Sequence, residues 1–345
     1  MARAVHAPAL TGDPTADAAL RRRLLAGAPA ELRLPAGRYA LAHGLTVGAG
    51  WTVSGADGPA GTWLSAAPAG AGTGAPLLHV TGSDVRIERL GLAPAPSAPG
   101  LHGGDRGTAL TVGRFLYAGR PDWVSGVSLA RLRVRAPGRE ANAVAVMGAV
   151  RDVDIDDLSV TGGCTGLAVH WGCAGRDVSA LAGPTYHPHR LRVAGLRVRD
   201  AFEGFYLSAV HDVQVAGACL TDVDIGFRLL AGDNTDRFHP GDAGVVGSRI
   251  DIAGVCVAWR GRLYGARVAG WGRSAVDGRV TTLAYRDVSL RDCSFTALDS
   301  ADEPATPVRT RAPVVLEQAY GVRLRGITMA AARRPVAACC ALRTG

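Results

Sequence analysis

Five of the nine histidines, His170, His187, His189, His211 and His239, fall within about a fifth of the 345-residue chain. The same stretch carries Tyr186, Tyr206, Glu203, Arg228, Asp233 and Asp236. Side chains of these types move protons and hold anions, and their clustering marks a candidate site. The chemistry they suit is removal of a weakly acidic proton beside a carboxylate or carbonyl. That reaction needs an acid–base pair and a group that stabilises the enolate. Tyr206 with His170 or His189 are the candidate acid–base residues, and Arg228 is the candidate cation. A tyrosine, with a reference pKa of about 10, acts as a base at neutral pH only beside a cation, which the arginine would supply. Tyr186, His187, Glu203, Asp233, Asp236, Trp259 and Arg260 complete the expected set as substrate contacts.

Other chemistries are less well provided for. His187 and His189 lie two apart, a spacing that projects both the same way on an extended segment. No third ligand has a defined spacing from them, so neither a metal nor a cofactor is expected. The 38 basic residues are all arginine, they outnumber 30 acidic ones, and the formal charge is +8. This balance favours an anionic small molecule or saccharide as substrate. The arginines are scattered, and zinc-finger, RNP and basic-helix patterns are missing, so nucleic acid is not expected as a partner. No apolar run reaches membrane-spanning length, and the N-terminus lacks a secretory h-region. A soluble, cytoplasmic protein with no membrane partner is expected, and the sequence does not indicate an oligomeric state.

The elements that must position these residues are legible as a repeat. An eight-residue phrase, apolar at its first, third and eighth places and apolar or small at its sixth, recurs eight times. It begins at Val85, Val127, Val153, Leu191, Val213, Ile250, Val288 and Val322, the copy from Val213 reading as VQVACL with Gly-Ala inserted. Alternation breaks at the fifth place and then resumes, which predicts two short strands joined by a bend. A third strand precedes several copies, at 142–147, 166–171, 204–208 and 226–230. The shortest step between copies, Leu191 to Val213, is 22 residues, room for three strands and three bends. The prediction is an all-β right-handed parallel β-helix of three strands per rung, one domain over 1–345 with rungs at 31–340. A helix at 13–26 would cap its open end. Cys219, Cys256 and Cys293 fall at nearly the same place in successive copies and are expected to stack in the core.

Aligning the third strands on Gly166, Gly204 and Gly226 sorts the candidates. Leu167, Phe205, Phe227, Val169, Leu207 and Leu229 take the inward phase by apolarity. Ala168, Tyr206 and Arg228 then form one outward column, and His170, Ser208 and Leu230 the next. Trp259, Arg260, Arg262 and Tyr264 are expected on the outer side of the following turns.

The cap followed by LRLPAGRY, Leu32 to Tyr39, together with the rungs, resembles the pectate-lyase-like β-helix superfamily. That resemblance covers most of the chain and implies the fold, while the superfamily hosts lyases, hydrolases, epimerases, phage spikes and scaffolds. Pro188-His189 resembles part of the Asp-Pro-His motif of β-helix uronate C5-epimerases, with His187 in place of the aspartate. Asn234-Thr235-Asp236 resembles the polygalacturonase NTD motif, but the aspartate pair expected one rung later is replaced by Gly254-Val255-Cys256-Val257-Ala258. Inverting hydrolysis needs two opposed carboxylates. The expectation is a lyase or epimerase acting on an anionic, sugar-like substrate. The alternatives are a tailoring enzyme for a small biosynthetic intermediate, a glycoside hydrolase, or a non-catalytic β-helix.

Overall fold

In the computed structural model the described residues are 4–6, 14–26, 29–56, 61–67, 75–96, 107–113, 122–171, 185–230, 238–239, 245–260, 263–273, 280–282, 284–299, 312–317 and 319–333. Apolar residues at alternate places build the strands. Left-handed residues, which the backbone tolerates best at Gly and Asp, turn the corners.

The fifth place of every phrase is such a corner. Arg89, Arg131, Asp157, Gly195, Gly217, Gly254, Asp292 and Gly326 all have φ between 52° and 66°. Gly217 occupies this place like the others, so the copy from Val213 contains no insertion. A second left-handed column lies just before each phrase: Asp84, Gly126, Asp152, Arg190, Asp212, Arg249, Asp287 and Gly321, φ 54° to 69°. Arginine is a costly choice at such a corner, and the two arginines of this second column are each tied to the rung before. Arg190 grips Asp152 through two bonds of 2.6 and 2.7 Å, and Arg249 grips Asp212 through two of 2.5 and 2.9 Å.

The third strands form a nine-stranded sheet whose spatial order is the chain order. They are Leu45–Val47, Leu78–Val80, Leu110–Gly113, Val144–Met147, Thr165–His170, Glu203–Ser208, Ile225–Leu230, Ala266–Ala269 and Val314–Glu317, each parallel to the next. A parallel pair requires a crossover connection. Here the crossover is the two strands of the phrase, which stack in their own parallel ladders, so the chain is a parallel β-helix.

The glycine column used for the alignment has a steric cause. A Cβ at Gly204 would stand 2.4 Å from the Gly226 carbonyl oxygen, and one at Gly226 would stand 2.1 Å from that of Gly265. The expected inward residues are the core: Leu167, Val169, Phe205, Leu207, Phe227 and Leu229 are at most 1% exposed. The Phe205 and Phe227 rings stack at 4.6 Å and 5°, and Phe295 continues the column at 6.2 Å from Phe227. Burial of each such ring stabilises by about 1.5–3 kcal/mol.

The cap is the helix Pro14–Leu25, which buries Leu20 and Leu24 and whose Leu24 carbonyl accepts the Gly48 N–H at 2.9 Å. A strand before it, Ala4–His6, pairs parallel with Ala30–Leu34 and was not expected.

Two expectations need correction here. Trp259 is a core residue, because the inward alternation of Val255 and Val257 continues to it. Of the three cysteines only Cys293 is in the core. Cys219 and Cys256 occupy the seventh, outward place in register with each other. Cys219 is disulfide-bonded, and Cys256 is a free thiol.

Candidate functional site

The nine-stranded sheet presents an outward column built as the glycine alignment implies: Ala168 opposite Tyr206, Tyr206 opposite Arg228, and Arg228 opposite Arg267. Neighbouring strands lie about 4.8 Å apart, so these side chains share one face. The Arg228 guanidinium carbon sits 5.2 Å from the Tyr206 ring centre, and the His170 ring lies 6.5 Å from the same ring. Arg267 stands 5.7 Å from the Tyr264 ring centre and binds Glu317. Arg267 was missed in the sequence, although Gly265 marks its register as the other glycines mark theirs.

Arg228 is not a bare cation. Its Nε and Nη2 both donate to the carboxylate of Glu203, the latter at 2.7 Å, and Thr165 Oγ1 donates to the same carboxylate at 3.2 Å. Glu203 is fully buried, so it supports Arg228 and is out of reach of a substrate. Burial alone would weaken the guanidinium's hold on its proton, but the adjacent Glu203 carboxylate outweighs it and raises the pKa above the ordinary arginine value. Arg228 is therefore fixed and permanently charged, with Nη1 uncommitted to Glu203. His170 is also buried, and burial lowers its pKa to about 4, so it is a neutral imidazole at pH 7.

No protein-family model matches the sequence, and no curated protein matches it. Solved structures do. The full-length tailspike protein 2 from Escherichia coli O157:H7 bacteriophage CAB120 aligns with TM-score 0.53 at 10% identity over 85% of this chain. This chain spans 34% of that tailspike. The N-terminal fragment of bacteriophage phi29 gene product 12 aligns with TM-score 0.50 at 10% identity, covering 93% of this chain and 69% of the fragment. The A-module of an Azotobacter vinelandii mannuronan C-5 epimerase aligns with TM-score 0.42 at 13% identity, covering 94% and 97%. What is shared at such identities is the fold.

The remaining candidates separate into two other places. At the corner entering the phrase, Arg151, His189, His211, Ser248, Arg286 and Tyr320 are in register on successive rungs. His189 packs edge-on to Trp123 at 5.0 Å, as Tyr186 does at 5.8 Å, and its Nδ1 lies 3.1 Å from the His187 carbonyl. Burial is the largest cause of its lowered pKa. His187 is fully buried and lies nearly coplanar with His211, edge to edge, with ring centres 5.3 Å apart and its Nδ1 3.1 Å from His211 Nε2. His187 and His189 therefore do not project together, because residues 187–188 precede the strand His189–Ala194. His211 Nδ1 lies 2.9 Å from Ser248 Oγ. Burial, with the neighbouring His211 and His189, lowers the His187 pKa well below the ordinary histidine value. Buried Tyr285 braces this corner, its hydroxyl donating to the Leu230 carbonyl at 2.7 Å and accepting from the Ala209 N–H at 3.2 Å.

At the opposite corner Arg260 is ion-paired with Asp200 at 2.6 Å, Asp224 at 3.2 Å and Asp222 at 3.6 Å, and Arg139 shares Asp224 at 2.6 Å. The guanidinium expected to meet substrate is instead the centre of a carboxylate cluster that joins successive rungs. Asp233, Asp236 and Arg262 lie outside the described residues, as does the side chain of His239. Among the described residues no group of three or more His, Cys, Asp or Glu could hold a metal ion. No helix among them is long and apolar enough to cross a membrane.

Proposed function

We propose that the protein is a β-helix enzyme that acts on a carboxylate-bearing saccharide by removing the proton beside the carboxylate. The observation that carries the reading is the outward column in which half-exposed Tyr206 stands beside Arg228, itself held in place by buried Glu203. In this reading Tyr206 exchanges the proton, and Arg228 donates through Nη1 to the substrate carboxylate as charge moves onto it in the enolate. Pre-aimed donors of this kind cost little reorganisation as the charge develops. His170 positions Tyr206 as a neutral imidazole. Expulsion of the sugar oxygen on the neighbouring carbon would complete a lyase reaction, and return of a proton to the opposite face would complete an epimerisation.

The test is incorporation of solvent deuterium into uronate oligosaccharides, which reports proton return and hence epimerisation, alongside ultraviolet absorption of a conjugated product, which reports elimination. Tyr206→Phe keeps the ring and should lower whichever of the two signals the wild type gives by roughly 10² to 10⁴-fold, the usual loss for a general acid or base. Arg228→Ala should raise KM and lower kcat together. An unchanged signal in a folded Tyr206→Phe variant, or neither exchange nor elimination with any uronate by the wild type, would sink the proposal.

A further inference from the structure

The corner column holds a second arrangement that the outward column does not use. Ser248 Oγ, His211 and His187 form a continuous hydrogen-bonded line, with contacts of 2.9 Å and 3.1 Å. One tautomer set satisfies both contacts: Ser248 donates to His211 Nδ1, and His211 Nε2–H donates to His187 Nδ1. Exposure rises along the line from 0% at His187 to 6% at His211 and 7% at Ser248, and the next residue in the column, Arg286, is exposed. This is the order of orienting group, base and nucleophile required for an activated hydroxyl. The pair is also clamped. Asp212 and Arg249 follow His211 and Ser248 in sequence and lock the two strands together through their bidentate contact.

We infer that Ser248 is the nucleophile of a carboxylic-ester hydrolase site, with His211 as its general base and His187 as the positioning residue. The Ser248 oxygen attacks the ester carbonyl carbon as its proton passes to His211 Nδ1. The tetrahedral oxyanion collapses with loss of the alkoxide, which takes that proton and leaves as the alcohol. Water, deprotonated by His211, then attacks the acyl-serine, releasing the acid and restoring Ser248. The Ser248 N–H is committed to the Val210 carbonyl at 3.2 Å. The donor for the oxyanion is therefore Arg286, one rung on and in register with Ser248. Arg286 is exposed. This site is independent of the Tyr206 column.

The experiment treats the full chain with a fluorophosphonate probe and with p-nitrophenyl acetate. The expected result is a phosphonyl adduct on Ser248 in peptide mass spectra, absent in Ser248→Ala, with ester turnover falling in parallel. His211→Gln should slow labelling by roughly 10² to 10⁴-fold, and His187→Gln should shift the pH profile of labelling without abolishing it. Because His211 is buried and its variant could misfold, Ser248→Cys supplies a second reading. Beside His211 the thiol should be alkylated by iodoacetamide well below the ordinary cysteine titration at about pH 8.5. Labelling at other residues only, unchanged ester turnover in Ser248→Ala, or an ordinary cysteine profile in Ser248→Cys would each overturn the inference.

Discussion

At the scale of single residues, the pairing of Glu203 with Arg228 changes what the arginine can do. A lone guanidinium would meet a carboxylate substrate as a mobile charge. Held from beneath by a buried carboxylate that also accepts from Thr165, it becomes a fixed donor. Glu203→Gln removes one charge of a pair whose carboxylate is buried, and should destabilise the fold by about 3 kcal/mol. Urea denaturation measures this, and a loss within about 0.5 kcal/mol of zero, the range of an ordinary surface substitution, would show the pair is not structural. His170 gives a second residue-level expectation. Its folded pKa of about 4 is below the unfolded value near 6.5, so the unfolded chain binds the proton more readily. Stability is then full above the unfolded pKa and falls as pH drops from about 6.5 to 4, by about 3 kcal/mol from this residue. His187, shifted the same way, adds to the slope. His170→Asn should flatten the dependence of the urea midpoint on pH over that window, and an unchanged slope would contradict the buried neutral imidazole.

At the scale of elements, each rung is set by where it bends and by what it cannot accommodate. Gly217 and Gly226 separate these two constraints. A Cβ at Gly217 meets nothing within 4 Å, and only its left-handed φ of 66° resists substitution. The equivalent corners in other rungs are Asp157 and Asp292. Gly217→Asp should cost about 1–2 kcal/mol. Gly226→Ala drives a methyl into the next rung's backbone and should cost several times more, visible as loss of soluble folded protein or a large fall in melting temperature. Equal losses in the two variants would show that the rung spacing gives way. Phe205→Ala opens a cavity in the Phe205, Phe227 and Phe295 stack and should cost about 3–5 kcal/mol by the same measurement.

At the scale of the molecule, the solenoid is a one-dimensional stack in which each rung is stabilised by its neighbours. The helix Pro14–Leu25 covers the first rungs. The last described rung instead exposes large apolar side chains, Leu316, Tyr320, Leu324 and Met329, with Tyr320 and Met329 each 63% exposed. Hydrogen exchange should follow this gradient. Amides of the strands Val150–Gly162 and Glu203–Ser208, flanked by rungs on both sides, should exchange slowest, and those of Thr328–Arg333 much faster. Uniform protection from Ala30 to Arg333 would mean that the stack opens as one cooperative unit.

The sequence by itself determined the rungs. Period-two apolarity, its break at the fifth place and the glycine column fixed the three strands, the inward phase and the register that sets Tyr206 beside Arg228, because all of these repeat along the backbone. The same reading could have found His189, His211 and Ser248, each two residues before its phrase, had the alignment been carried to that corner. Only the tertiary structure decided which outward groups remain available. Glu203 is 25 residues from Arg228, and Asp200 is 60 from Arg260, and both join only once successive rungs are stacked. Likewise, the edge-to-edge pairing of His187 with His211 and the inward turn of Trp259 depend on how a strand enters or leaves its corner. The corners recur in the order of residues, but which side chains meet across them depends on how the rungs stack, and that leaves no local pattern in the sequence.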